Sequence, residues 1–178
     1  SCFNLNLTVD SGQVFLWDKI NGSWYGVERD NIIKISESEN NLKYSSYPER
    51  LDCSRIFRFD DDLHHITKKI SKDGIMKDVL SKMRGLRLMR QDPYQCLISF
   101  ICATNTNIPM IKRMLTNICV NFGDSIEYCG LKFHTFPEPK RLANASLNEL
   151  YRCSVGYRAR FIQRAAMTVL NGKIDFAS

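Results

Sequence analysis

The stretch RQDPYQCLISFICATNTNIPMIKRMLTNICVNFG, residues 90–123, contains the start and end of one helix and the whole of a second. Asp92 is a favoured N-cap residue, Pro93 suits the first helical position, and Gln95 stands where its side chain can close a capping box. From residue 94 to 102 the chain is apolar nearly all round, which is typical of a helix packed on every side. This stretch therefore predicts a buried helix with a fixed starting point.

A small polar turn follows the apolar run. Thr104-Asn105-Thr106 breaks the helical pattern, and Asn107 can cap a second helix that carries Pro109 in its first turn and ends at Gly123. The Asn-Thr-Asn turn is therefore expected at a rigidly mounted tip between two helices. Taken alone, Asn105 is most simply interpreted as a turn or capping residue.

Before residue 60, apolar and polar residues alternate with the two-residue period of strands. FNLNLTV, residues 3–9, alternates apolar and polar side chains and predicts a half-buried strand. Asn21-Gly22 lies between aromatic-rich runs, a strong signal for a tight hairpin, and IIKISESENNLKYSS, residues 32–46, continues as short strands. These segments predict an antiparallel meander.

From about residue 60 onward the apolar residues have helical spacing. Residues 63–70 and 75–83 each predict a helix, and SLNELYRCS, residues 146–154, starts with a capping-box pair. YRARFIQRAAMTVLNG, residues 157–172, predicts a basic amphipathic helix. VGYRAR, residues 155–160, overlaps its start and forms a short basic connection suited to contact with phosphates or bases. The predicted fold class is α+β.

The composition narrows the functional classes. The chain has 178 residues, 44% hydrophobic, with a net charge of +6. Residues 1–58 carry seven Lys and Arg against eight Asp and Glu, and residues 59–178 carry eighteen against eleven. This basic excess is compatible with nucleic-acid binding or with an ordinary solvated surface.

No apolar run approaches the ~20 residues of a membrane span, and the first residues lack a signal-peptide pattern, so an intracellular protein is expected.

The seven cysteines include no CxxC pair and lie mostly in apolar segments. They are interpreted as reduced core thiols. With three histidines and no Cys/His cluster at ligand spacing, no zinc site and no other metal site is predicted.

Three stretches in this order resemble the 8-oxoguanine DNA glycosylases of the helix-hairpin-helix superfamily: SGQVFLW (11–17), RQDPYQCLISFICATNTNI (90–108) and VGYRARFI (155–162). The resemblance covers essentially the whole chain. It implies a DNA repair enzyme that flips an oxidised guanine out of the duplex, cleaves its glycosidic bond and has AP lyase activity. It also implies a monomer that binds double-stranded DNA containing 8-oxoguanine and needs no cofactor. In these terms residues 1–92 form an N-terminal, TBP-like antiparallel sheet domain with flanking helices, and 93–178 the first part of an α-helical glycosylase domain.

The resemblance assigns roles around the tip. Asn105 corresponds to the asparagine that enters the hole left by the flipped base. Tyr157 and Arg158 correspond to the pair that wedges the base stack and contacts the orphaned base. Asn107 and Arg160 are predicted DNA contacts beside them.

Three further residues match positions of the family. Gly12 corresponds to the glycine whose backbone carbonyl accepts the N7 hydrogen of the oxidised base, a hydrogen that normal guanine lacks. His134 corresponds to a possible phosphate contact. Met110 stands where eukaryotic members carry an arginine that joins the one matching Arg158 in the opposite-base pocket, so a relaxed opposite-base preference is predicted.

The family's nucleophilic lysine, in an LPGVG-x-K stretch, and its later aspartate have no match in this chain. Lys173 and Asp175 lie past the last predicted helix and are interpreted as part of a solvated end. The chain is therefore expected to be the N-terminal portion of a glycosylase, without the catalytic hairpin and inactive alone. Two alternatives stay open: an alkylated-base glycosylase of the same superfamily, and a non-catalytic DNA-binding module.

Overall fold

The structure is a computed structural model that describes residues 3–38 and 41–176. The chain forms two compact units. The first unit contains Asp52–Arg90 and the chain before Phe15, and the second contains Phe15–Leu51 and the chain from Gln91 onward. The predicted division at residue 92 stays a prediction, and the compact units divide the chain differently because the strands pack with the later helices.

The described part of the first unit is helical. Its helices are α1 (Leu5–Val9), α2 (Cys53–Ile56), α3 (Leu63–Ile70) and α4 (Gly74–Lys82). The predicted helices at 63–70 and 75–83 are confirmed, but neither α3 nor α4 contains a buried residue.

The strand predicted at residues 3–9 is wrong, because this segment forms α1. The Asn4 side chain caps the helix by accepting a hydrogen bond from the Leu7 N–H at 2.9 Å. Leu5 and Val9, one helical turn apart, are both buried. Short apolar alternation fits this helical spacing as well as it fits a strand, and the cap decides between them.

The second unit contains the predicted antiparallel meander. Its strands are β1 (Trp17–Ile20), β2 (Ser23–Glu28), β3 (Asn31–Ser38) and β4 (Asn41–Tyr47), hydrogen-bonded in this order. The predicted hairpin is confirmed: Asn21 and Gly22 have φ values of 47° and 78°, as a two-residue type I′ loop requires. A second pair of antiparallel strands, β5 (Ser125–Tyr128) and β6 (Leu131–His134), follows later in the chain.

Helices and one 3₁₀ turn complete this unit. They are α5 (Pro93–Ala103), α6 (Ile108–Phe122), α7 (Pro139–Asn144), α8 (Leu147–Arg152), the 3₁₀ turn Gly156–Arg158 and α9 (Ala159–Leu170). The core between the helices includes the fully buried side chains of Ile98, Leu115, Ile118, Leu150 and Ile162.

The prediction that α5 is packed on every side is wrong for one face. Ile98 and Cys102 are buried in the core, but Phe100 is 63% exposed. Leu97 and Ile101 are half-buried beside it. The helix therefore carries more apolar surface than the described residues of its unit cover.

Across residues 3–38 and 41–176, none of the helices combines the length and the apolar character needed to cross a bilayer.

Candidate nucleic-acid interface

The start of α5 is fixed to the sheet. Asp92 caps the helix through a 2.8 Å hydrogen bond from the Gln95 N–H, as the sequence predicts. The Gln95 side chain does not close a capping box, because it bonds to the β2–β3 turn instead. Its amide donates to the Val27 carbonyl at 2.8 Å and accepts from the Arg29 N–H at 3.0 Å. These contacts anchor the helix that leads to the tip.

The end of α5 presents the predicted tip to solvent. Residues 104–110 are all exposed. Asn105 has a φ of 48°, a left-handed conformation that asparagine tolerates better than most residues. Asn107 caps α6 by accepting from the Met110 N–H at 3.1 Å, which confirms its predicted capping position. The Asn105 side chain is therefore carried on an exposed turn between two packed helices.

Arg158 holds this tip from the 3₁₀ turn. Its Nη2 donates to the carbonyls of Thr104 and Asn105, the latter at 3.4 Å, and its Nη1 donates to the Val155 carbonyl at 3.4 Å. The side chain is buried, and Nε has no hydrogen-bond partner among the described residues. In this structure the guanidinium donors therefore serve the backbone of the tip.

Tyr157 lies beside the tip and is 56% exposed. Its ring stands 4.7 Å from the Arg158 guanidinium carbon, and its hydroxyl is 3.5 Å from Thr104 Oγ1. Phe161 packs edge-on against the same ring at 6.4 Å. An exposed aromatic ring at a polar turn is suited to stacking on a nucleobase. Arg160, the other predicted contact in this segment, is also exposed.

An apolar groove of about 500 Å³ runs between α5 and α9 next to the tip. Leu97, Ile101, Tyr157, Phe161 and Arg164 contribute to its lining.

Met110 and His134 are the remaining predicted residues of the second unit. Met110 lies in the first turn of α6, close in sequence to Asn107, and is 37% exposed. His134 ends β6 and is half-buried. Among the described residues, no hydrogen bond or ion pair connects His134 to the tip.

Gly12 belongs to the first unit and lies in the turn after α1. Its φ of 81° favours glycine, because a side chain there is strained. Gln13 holds this turn: its amide donates to the carbonyls of Thr8 and Arg87, both at 2.9 Å, and accepts from the Met89 N–H at 2.7 Å. The sequence analysis did not predict this role of Gln13, because two of its partners are 74 and 76 residues away.

The second unit contains one ionisable group that the sequence did not indicate. The pKa of the Glu28 carboxyl is raised to about 7, mainly by burial and also by the charge of the Asp92 carboxylate, while the hydrogen bond from the Asp92 N–H and the Arg29 charge lower it. Burial also raises the pKa of the Cys102 thiol to about 12, so this cysteine is not a nucleophile at neutral pH. No group of three or more His, Cys, Asp and Glu within the described ranges is arranged to hold a metal ion.

The exposed asparagine turn, with an exposed aromatic ring and a buried arginine beside it, is suited to contact with a nucleic acid. Residues 1–97 match the sequence profile of the 8-oxoguanine DNA glycosylase N-terminal domain. The chain belongs to this family.

Solved structures give the same result. The structure of MBOgg1 with a low-affinity DNA ligand is similar with a TM-score of 0.89 and 31% identity, over 98% of this chain and 62% of that one. The Clostridium acetobutylicum 8-oxoguanine glycosylase/lyase, bound to double-stranded DNA with cytosine opposite 8-oxoguanine, has a TM-score of 0.88 and 28% identity, over 97% of this chain and 61% of that one. A 3-methyladenine DNA glycosylase from Archaeoglobus fulgidus, at 18% identity and a TM-score of 0.74, shares the fold.

Among curated proteins, the Arabidopsis thaliana N-glycosylase/DNA lyase OGG1 is 29% identical over 171 residues, which is 89% of this chain and 46% of that protein. The Saccharomyces cerevisiae N-glycosylase/DNA lyase is 33% identical over 123 residues, 68% of this chain and 33% of that protein. The chain thus spans a third to a half of the length of these two relatives.

Proposed function

We propose that this chain is the N-terminal part of a DNA glycosylase with AP lyase activity, which removes 8-oxoguanine from duplex DNA in base excision repair. Its family membership and its similarity to a glycosylase/lyase bound to lesion-containing DNA support the substrate class. The observation that carries the proposal is the exposed Asn105 on a turn held by Arg158. A monomer and an intracellular location remain predictions.

In the proposed reaction the tip stabilises the flipped state. Flipping a base leaves a gap in the stack and costs a few kcal/mol of stacking and pairing. The Asn105 amide enters this gap, and the exposed Tyr157 ring wedges the neighbouring step. Arg158 donates to the orphaned base, with Met110 beside it in place of a second donor. Asn107, Arg160 and His134 provide further DNA contacts.

The first unit supplies the predicted lesion contact. The Gly12 carbonyl accepts the N7 hydrogen of 8-oxoguanine, and normal guanine has no hydrogen at N7 to donate. The turn that carries this carbonyl is held by Gln13. Cleavage of the glycosidic bond is assigned to a lysine and an aspartate of the parent enzyme that have no match in this chain. The chain alone is accordingly proposed to be inactive.

The test compares DNA binding by the parent enzyme and its Asn105→Ala variant. Because only the flipped state needs the gap filled, the variant should lose affinity for a duplex with 8-oxoguanine opposite cytosine by roughly tenfold more than for the undamaged duplex. Arg160→Ala is the matched control, since loss of a phosphate contact should weaken both duplexes alike and reduce the salt dependence. If Asn105→Ala lowers the affinity for both duplexes equally, Asn105 acts only as a turn residue.

A further inference from the structure

The apolar faces of α3 and α4 remain exposed in the first unit. Ile66 and Ile70, one turn apart on α3, are 40% and 42% exposed, and Met83, which follows the last residue of α4, is 45% exposed. Together with the segment that follows α4 they form an open groove of about 790 Å³. Its apolar lining consists of Leu63, Ile66, Ile70, Leu80, Met83, Leu86 and Leu88. We call this feature the α3–α4 groove.

The floor of the groove is held in place by Arg87. This buried arginine donates from Nη1 to the carbonyls of Arg58 and Asp61, and its guanidinium carbon lies 5.3 Å from the Phe59 ring centroid. The Leu86 N–H donates to the Met83 carbonyl at 3.1 Å. The groove is therefore formed before any partner binds, which reduces the entropic cost of binding.

Basic side chains outnumber acidic ones in the lining of the groove, with Lys77, Arg84 and Arg87 against Asp61. Lys77 and Arg84 contribute to the lining, and Lys68, Lys69 and Lys72 are exposed at the end of α3. None of these five cationic groups makes an ion pair with another described residue.

The nearby carboxylates are already engaged. Asp62 and Asp73 cap α3 and α4, Asp78 pairs with Lys82 at 2.8 Å, and Asp61 pairs with Arg58 at 3.0 Å. The surplus cations are therefore available to a partner.

We propose that the α3–α4 groove binds an amphipathic helix of a partner protein whose apolar face is flanked by Asp and Glu. A concave apolar channel between two helices accepts the i, i+3, i+4 and i+7 side chains of a third helix. The basic rim selects acidic flanks and rejects basic ones. A flat membrane surface does not fill a concave channel, and a DNA backbone gains nothing from a floor of Leu, Ile and Met. The groove belongs to the first unit and the tip to the second, and the proposal does not depend on the proposed repair function.

The test uses a fluorescein-labelled synthetic helix of about 18 residues, with Leu on one face and Glu on both flanks, and a second peptide with every Glu replaced by Lys. Fluorescence anisotropy with the 178-residue chain should show at least roughly tenfold tighter binding of the Glu peptide, and this advantage should shrink as salt is added. Ile70→Glu should reduce binding of the Glu peptide by at least roughly tenfold. Ile75→Glu is the matched control and should leave binding unchanged, because Ile75 is 77% exposed on α4 and does not line the groove. Circular dichroism verifies that both variants fold.

Charge reversal gives a second readout. Lys77→Glu with Arg84→Glu should move the preference toward the Lys peptide. Equal affinity for the two peptides, or binding that Ile70→Glu leaves intact, overturns the proposal. A dimer in light scattering that Ile70→Glu dissociates assigns the groove to a second copy of the chain. If the chain binds neither peptide but co-sediments with phosphatidylserine vesicles, and Ile70→Glu abolishes this co-sedimentation, the groove binds a membrane instead. If the Glu peptide binds this chain but not a longer parent protein, a segment of that parent occupies the groove.

Discussion

Glu28→Gln should stabilise the second unit above neutral pH. The Glu28 carboxylate lies at the end of β2, is largely buried, and accepts the Asp92 N–H at 2.8 Å. Gln at this position keeps an oxygen that accepts the same hydrogen bond and has nearly the same volume, but it carries no charge. The substitution therefore removes the cost of burying a charge and little else.

The size of the effect follows from the pKa of Glu28. A carboxyl whose pKa rises from 4.5 to about 7 on folding costs up to roughly 3 kcal/mol when it is charged in both states, because each unit of pKa corresponds to about 1.4 kcal/mol. The folded state holds the proton more tightly, so the wild-type protein is most stable below the unfolded pKa and loses stability as pH rises through about 7. Glu28→Gln should thus match wild type near pH 4.5 and exceed it by up to roughly 3 kcal/mol at about pH 8.

Urea unfolding measures this difference across the pH range. Trp17 and Trp24 are buried in the same unit, and their fluorescence follows its unfolding. Glu149→Gln is a control of opposite sign. Hydrogen bonds from Ser146 hold the pKa of Glu149 below its usual value, so the wild-type carboxylate contributes stability above its unfolded pKa and loses it as pH falls. The reasoning is refuted if wild type and Glu28→Gln have parallel stability curves from about pH 5 to about pH 8.

Three further predictions concern the interface. Arg158→Met keeps an apolar stem but removes the donors to the tip, so it should lower the free energy of unfolding by about 1.5 kcal/mol and speed amide exchange at Thr104, whose N–H donates to the Ile101 carbonyl at 3.4 Å. Unchanged exchange at Thr104 would show that Arg158 does not hold the tip in place. In the parent enzyme, Met110→Arg should sharpen the preference for 8-oxoguanine opposite cytosine in single-turnover excision, and a wild-type cytosine preference already near a hundredfold, about 3 kcal/mol, would contradict this. The 178-residue chain alone should give no borohydride-trapped adduct with a lesion duplex; an adduct would implicate an amine such as Lys173.

The elements that the sequence predicted well are those specified by neighbouring residues. Asp92 and Asn107 cap their helices through N–H groups three residues away, and Asn21-Gly22 determines its own turn. The segment Leu5–Val9 was mispredicted because its short apolar alternation fits two periods, and the cap at Asn4 is a weaker signal than the alternation.

The features that the sequence did not predict depend on partners far along the chain. Gln95 bonds to residues 66 and 68 positions away, and Gln13 to residues 74 and 76 positions away. The high pKa of Glu28 arises from burial, which a charged residue at a strand end does not indicate. The family resemblance assigned roles to single residues but not the direction in which each side chain points.

Arg158 shows why that direction matters. Its Nη atoms donate to three backbone carbonyls, those of Thr104, Asn105 and Val155. These bonds use three of the five N–H donors of the guanidinium. Nε, one of the groups left over, is buried and has no hydrogen-bond partner among the described residues. Because the whole side chain is buried, the predicted contact with an orphaned base requires it to turn outward. Such a movement of the planar group breaks its bonds to the carbonyls of the tip, so release of the Asn105 turn is expected to accompany base binding.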